Sequence, residues 1–416
     1  MKRRPILIEV DEHGRLVLPP EVARRFGLQK GARLRLEEDE NVLRLSRSSA
    51  SLARVNIEPT NICNLDCRTC MRNVWDEPPG NMSSETFARI LEGVRQCDPL
   101  PRLFFGGFGE PLSHPRILEM LAAAKALGVT VELITNGILL DERLCRELIA
   151  LRLDRLWVSL DGATPESYAD VRLGAALPQV LANLARLRDL KRQTYSREPR
   201  LAIAFVAMRR NIAQLPEILR IGRSLGAEGY SISNVLPHTP ELQEEILYRR
   251  ALYIADMTVS EYQPLVSLPR VDINDQTTEG LINLLKGYGV FQLAGQEVSP
   301  GYDRCPFIEK GSLSIRWDGS VAPCLPLLHD HESYLDDRLR RSHAFFIGNI
   351  NQRGLLEIWN DPAYVALRER LLGFDFSPCT GCNSCEMADA NLEDCFGNVQ
   401  PACGGCLWAQ GFIQCP

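Results

Sequence analysis

Between Ala53 and Ser299 the chain alternates short apolar runs with amphipathic segments, and this alternation constrains the fold more than any other feature. The runs RVNI (54–57), RLFF (102–105), VTVELIT (129–135), RLWVSL (155–160), LAIAFVA (201–207) and GYSISNV (229–235) predict strands. Between them SSETFARILEGVRQ, HPRILEMLAAAKALG, DERLCRELIALRL, PQVLANLARLRDLKR and NIAQLPEILRIGRSLG carry apolar residues at helical spacing. Ser84 and Asn211 stand where two of these helices need N-caps, and Gly128 and Gly226 where two must stop. Strands alternating with helices pair in parallel through right-handed crossovers, so the class is α/β.

The first strand runs into IEPTNICNLDCRTCMR, where Cys63, Cys67 and Cys70 form a CX3CX2C triplet. Three thiolates on one short loop hold three corners of a cubane iron–sulfur cluster, whereas complete protein ligation takes four. One iron is then open, and an open coordination position is where a metal site does chemistry. A zinc knuckle or a redox-sensing cluster would draw on the same residue types.

The triplet resembles the signature of radical S-adenosylmethionine (SAM) enzymes. That resemblance implies a 4Fe–4S cluster whose open iron is chelated by the amino and carboxylate groups of SAM. It also implies one-electron cleavage of SAM to a 5′-deoxyadenosyl radical, with the protein supplying position and exclusion of water. With six strand–helix units it implies a partial (β/α)6 barrel, in which chemistry gathers at the C-terminal strand ends. Thr69 stands where the superfamily usually has an aromatic residue.

The same resemblance assigns the other strand ends. In FFGGFGEPLSHP, Gly109 and Glu110 take the place of the motif that meets the SAM amino group, with Phe108 where a second glycine is more usual. Thr135 and Asn136 of ITNG are candidates for the SAM carboxylate or ribose, and Ser159 and Asp161 of SLDG for the nucleoside or the substrate. Asn234, near the end of the sixth strand, is a further candidate. Read without the family, these are strand-to-helix turns with Asn-Gly and Asp-Gly chemistry. Cys97 and Cys145 fall on amphipathic helices and read as core residues.

Fourteen cysteines are many for 416 residues, and nine of them lie between Cys305 and Cys415. CPFIEKGSLSIRWDGSVAPC reads CX13GX4C, with a hairpin and DG turn that bring Cys305 and Cys324 together. Then come Cys379, Cys382, Cys385, Cys395, Cys403, Cys406 and Cys415. The first half resembles the SPASM extension, which holds auxiliary 4Fe–4S clusters in enzymes that modify peptides and proteins. By that analogy Cys305 and Cys324 serve one cluster, and Cys379, Cys382 and a distal cysteine the other. The spacing after Cys382 departs from the family pattern and leaves the remaining assignments open. Paired CX2C units also suit structural zinc.

Residues 1–50 form a separate module: two short strands around DEHGR, a helix in PEVARRFGL, and a second hairpin in ARLRLEEDENVLRLSR. It resembles the AbrB/SpoVT swapped-hairpin domain, which implies an interleaved homodimer and often DNA binding. Eleven Lys/Arg against eight Asp/Glu is a mild excess, and Arg3, Arg4, Arg15, Arg24 and Arg25 could line a DNA face. Dimerisation or docking is the preferred reading on an enzyme chain. The expected domains are therefore 1–50, a barrel with a bridging segment at 53–300, and a cysteine-rich domain at 301–416. Within the bridge, HTPELQEEILYRRALYIADM reads as helical and SLPRVDINDQ as irregular or a hairpin.

A net charge of −6 supplies no global cationic field of the kind that drives nucleic-acid binding. The opening segment lacks a signal-peptide pattern, and the longest uncharged apolar stretch, LAIAFVAM, is too short to span a membrane. Metal-binding cysteines in a reducing compartment, hence the cytoplasm, are expected. IEPTNICNLDCRTCMRNVWDEPPG with FGGFGEPLSHP resembles the radical SAM/SPASM maturases associated with tungsten-dependent aldehyde oxidoreductases. That resemblance implies the oxidoreductase or its tungstopterin as partner, together with an electron donor. The competing readings are a peptide-modifying radical SAM enzyme and an iron–sulfur-sensing DNA-binding regulator.

Overall fold

The computed structural model describes residues 8–20, 22, 34–39, 42–47, 51–249, 265–268, 290–293, 296–298, 303–335, 337–380, 382 and 385–416. At the N-terminus, β1 (Glu9–Val10) pairs antiparallel with β2 (Leu16–Val17) and β3 (Leu34–Asp39) with β4 (Val42–Arg47). The Asp11 carboxylate closes the first turn by accepting from the backbone N–H of His13 and Arg15. Most of PEVARRFGL, with Arg3, Arg4, Arg24 and Arg25, lies outside the described residues.

Six parallel strands follow in spatial sequence: β5 (Arg54–Ile57), β6 (Arg102–Phe105), β7 (Val131–Thr135), β8 (Arg155–Ser159), β9 (Arg200–Ala207) and β10 (Ala227–Asn234). The helices between them are α1 (Ser84–Arg95), α2 (Ile117–Ala126), α3 (Glu142–Ala150), α4 (Pro165–Val171), α5 (Leu177–Gln193) and α6 (Leu215–Ser224). Val55, Ile57, Leu103, Phe105, Val131, Leu133, Leu156 and Val158 are inaccessible in the strands, and Ile90, Leu121, Leu148 and Leu184 meet them from the helices. Each such side chain stabilises the fold by roughly 1.5–3 kcal/mol. Cys97 and Cys145 sit in this core.

Ser83, not Ser84, caps α1 by accepting from the Thr86 N–H, and Ser84 is already helical. Asn211 precedes a 3-10 turn but does not cap it. Its side chain accepts from Met208 N and donates to the Asp161 and Val206 carbonyls. Gly128 and Gly226 stop their helices in left-handed geometry, at φ +75 and +81.

Beyond β10 only Pro240–Gln243 of the expected helix is helical up to residue 248, because Glu245 turns back to bind the backbone and guanidinium of Arg210. Its remainder from residue 250 on lies outside the described residues. So does most of SLPRVDINDQ, whose first residues belong to β11 (Leu265–Leu268), paired with β12 (Val290–Leu293) and through it with β13 (Gln296–Val298).

The chain then returns to the barrel. β14 (Ser312–Ile315) lies parallel to β5, and β15 (Ser320–Ala322) continues antiparallel. After the hairpin of β16 (His331–Leu335) and β17 (Arg338–Ser342), β18 (Gly348–Asn349) closes a nine-stranded sheet. The cysteine-rich region is thus built onto the sheet edge beside the strand that carries the triplet.

Candidate functional site

Behind β5 the triplet loop is held from two sides. Asp66 N and Arg68 N donate to the carbonyls of Leu173 and Val171 at the end of α4. Arg72 donates to the Leu65 carbonyl at 2.6 Å, and the Asn73 amide to the Cys67 carbonyl at 2.9 Å. Cys63, Cys67, Thr69 and Cys70 then rim an opening of about 210 Å³ that Gly109, Glu110, Thr135, Asn136, Ser159 and Arg172 also line. Gly109, Glu110, Thr135, Asn136 and Ser159, five of the seven strand-end residues expected from sequence, therefore meet the three cysteines at one place.

Asp161 does not line the opening. Its fully buried carboxylate binds Arg172 and accepts from Val206 N, so a guanidinium occupies the position expected for the aspartate. Asn234 is not part of the opening; its amide donates to the Phe412 carbonyl and secures the C-terminal segment.

Glu110 is 2% exposed, and its oxygens accept from Leu112 N, the Thr135 hydroxyl and Asn136 N at 3.0, 2.8 and 2.7 Å. Burial raises its pKa while these bonds oppose the shift. Thr135 and Asn136 thus spend polar groups on knitting strand ends together, and the Asn136 amide continues the chain of bonds to Asn64 of the triplet loop. Gly109 is required by packing: a Cβ there would lie 2.1 Å from the Thr60 carbonyl oxygen.

Burial raises the Cys63 thiol and pushes Cys67 to about 11, against the pull of Arg172 on Cys67. Such thiols are poor free nucleophiles, and a metal must displace their protons. Among the described residues no three His, Cys, Asp or Glu side chains converge as ligands of a single ion do. A cubane carries its thiolates at separate corners, one to each ligated iron. Three soft sulfurs on the rim of an opening, backed by a buried guanidinium, fit such a cluster with an anionic ligand at its free corner.

The distal cysteines fall into groups. Cys305, Cys324, Cys379, Cys403 and Cys406 line one cavity of about 90 Å³. Burial drives Cys324 and Cys403 well above the usual thiol range, and the neighbouring charges of Cys305 and Cys406 add to it. Burial also raises the Cys379 thiol, and the neighbouring charges of Asp394, Cys395 and Cys382 add to it. Arg340, buried on β17, donates to the carbonyls of Cys379, Thr380 and Cys382 at 2.5, 3.2 and 3.5 Å, and Arg338 to that of Cys385. Cys385 and Cys395 are exposed. Cys415 lines a neighbouring cavity with Arg54 and Lys310, where burial raises its thiol and the charge of Cys406 adds to the rise.

Arg172, Asn64 and Arg340 were not legible as site residues, because arginine and asparagine in loops carry no motif of their own.

Comparison with known proteins gives the same outline. Residues 57–197 match the radical SAM superfamily and residues 305–386 the SPASM iron–sulfur cluster-binding domain. The chain is 31% identical to the tungsten-containing aldehyde ferredoxin oxidoreductase cofactor-modifying protein of Pyrococcus furiosus, over 86% of this chain and 96% of that protein. It is 27% identical to the PqqA peptide cyclase of Gluconobacter oxydans, over 81% and 84%. The fold matches the crystal structure of Streptococcus suis SuiB bound to S-adenosylmethionine with a TM-score of 0.52 at 16% identity, over 82% of this chain and 72% of that one.

Proposed function

The chain belongs to the radical SAM family with a SPASM iron–sulfur extension, and from that premise we propose that it matures a tungsten-dependent oxidoreductase, acting on the enzyme or on its tungstopterin. The observation that carries the reading is the 31% identity spread over 96% of the Pyrococcus cofactor-modifying protein, barrel and cysteine-rich region together.

In this reading Cys63, Cys67 and Cys70 hold the cluster and SAM sits in the opening they rim. A reduced 4Fe–4S cluster bound there would supply the one electron that cleaves SAM into methionine and a 5′-deoxyadenosyl radical. The protein's own residues arrange the event. The turn through Gly109 and Glu110 presents backbone and a buried carboxylate to the methionine amino group. Arg172, a cation held in place by Asp161, faces the carboxylate. Thr135, Asn136 and Ser159 border the nucleoside side of the opening, and the apolar side chains of Met71 and Ile134 keep water from that wall.

Cys305, Cys324, Cys403 and Cys406 hold one auxiliary cluster, and Cys379, Cys382, Cys385 and Cys395 the other, leaving Cys415 over. The second cluster is solvent-facing through Cys385 and Cys395, which suits exchange with an electron donor. The N-terminal module dimerises the enzyme: Ile8, Val10, Leu16 and Val17 are 43–60% exposed on its first hairpin, apolar surface that a second copy would cover. Among the described residues no helix is long and apolar enough to cross a membrane.

The test is incubation of the reduced, reconstituted protein with SAM and a tungsten oxidoreductase made without it. The account expects 5′-deoxyadenosine and gain of oxidoreductase activity. A peptide-modifying role, favoured by the 27% identity to a peptide cyclase, would instead show turnover only with a precursor peptide.

A further inference from the structure

His329 is fully buried and lies between two carboxylates, with Nε2 2.9 Å from Glu58 and Nδ1 2.9 Å from Glu77. A neutral imidazole has a single N–H and would turn a lone pair on one of these oxygens, so with both carboxylates ionised the two contacts call for the imidazolium. Trp75 stacks on the ring at 3.9 Å and 18°, the placement of a cation over an indole face. Burial opposes the charge, but Glu58 and Glu77 outweigh it and raise the histidine to about 9.

The four partners come from separate parts of the site. Glu58 directly follows β5, ahead of the triplet loop, and Trp75 and Glu77 follow that loop. His329 follows the turn after Cys324, and Phe108 belongs to the Gly-Glu turn. The Glu58 carboxylate uses its other oxygen to accept from the Phe108 N–H at 3.0 Å. Gly107, at φ +131, permits the approach: a Cβ there would lie 2.6 Å from Glu58. The Phe108 ring meets both Trp75 and His329 edge-on.

We propose that His329 is a positioning residue for SAM: from the auxiliary domain it fixes Glu58, and through Glu58 the Phe108–Glu110 turn that receives the methionine end of SAM. The inference rests on the reading of the triplet opening as the SAM site. The charged groups around the imidazolium are Glu58, Glu77, Arg316 (which pairs with Glu77 at 3.5 Å) and His331, whose Nδ1 faces the His329 carbonyl. The positioning is complete at neutral pH and is lost as pH rises through the folded-state pKa of about 9.

The experiment is SAM binding by equilibrium dialysis to the full-length, anaerobically reconstituted protein, with iron counted in each sample. His329→Gln is expected to weaken SAM binding roughly tenfold at neutral pH, with iron unchanged and the loss appearing in KM for SAM rather than kcat. Glu77→Gln, at a half-buried position, is expected to fold normally and to move the alkaline loss of SAM affinity to lower pH. SAM's own titration is common to both proteins. Equal affinity of His329→Gln and the unaltered protein overturns the proposal. If His329→Gln loses iron, an unmoved alkaline limb in Glu77→Gln overturns it instead. Failure of the unaltered protein to bind SAM would overturn the underlying site, and the proposal with it.

Discussion

The Arg172 guanidinium lies 3.9 Å from the Cys67 sulfur while its Nε and Nη2 hold the buried Asp161 carboxylate at 2.8 and 2.7 Å. A cation donating to a cluster sulfur favours the reduced, more negative state and so raises the potential. Arg172→Lys keeps a charge for Asp161 but cannot reach both partners. The midpoint potential of the triplet cluster is expected to fall, by on the order of 50 mV. Potentiometric titration followed by electron paramagnetic resonance measures it, and an unmoved potential would remove the role assigned to this bond.

Removing the other member of the pair acts on stability. Asp161→Asn leaves the Arg172 cation buried without its counter-charge and should cost about 3–5 kcal/mol. Anaerobic urea unfolding reads this directly, and a loss below about 1 kcal/mol would mean that the pair is not the structural centre of the strand ends.

Gly109→Ala tests the Gly-Glu turn. Its Cβ would overlap the Thr60 carbonyl at 2.1 Å, so the turn must move away from the triplet loop. SAM affinity should fall at least roughly tenfold while the cluster is retained. Unchanged SAM titration with this variant would show that the turn takes no part in binding.

The partition of the distal cysteines predicts iron counts. Three cubanes give about twelve irons per chain. Cys406→Ala should reduce the count to about eight, and Cys415→Ala should leave it at about twelve. The reverse pattern would make Cys415 a ligand and Cys406 the spare thiol.

Much of this was legible in advance, for a physical reason in each case. Five of the six strands announced themselves because burial within a parallel sheet leaves apolar runs, whereas β10, at the sheet edge, has no buried residue and showed itself by its place in the alternation. The meeting of the triplet with Gly109 and Glu110 at one opening was legible because thiolate spacing and close backbone approach restrict residue choice. Arg172 and His329 were not, since each acquires its role from partners far away in sequence: Cys67 for the first, Glu58 and Glu77 for the second. Asp161 was a candidate to face the nucleoside or the substrate, with an Asp-Gly turn as the alternative, and folding makes it the buried counter-ion of Arg172. The edge position of β14 beside β5 was equally hidden, because pairing across the intervening 250 residues leaves no local pattern.

The central claim is that the opening rimmed by Cys63, Cys67 and Cys70 binds SAM for use on a tungsten enzyme. The most direct measurement is 5′-deoxyadenosine formed by the reduced, reconstituted protein, with and without a tungsten oxidoreductase produced in its absence. The oxidoreductase is expected to raise 5′-deoxyadenosine formation, and Cys67→Ala to abolish it. Formation that the oxidoreductase does not change, but that a precursor peptide raises, would contradict it.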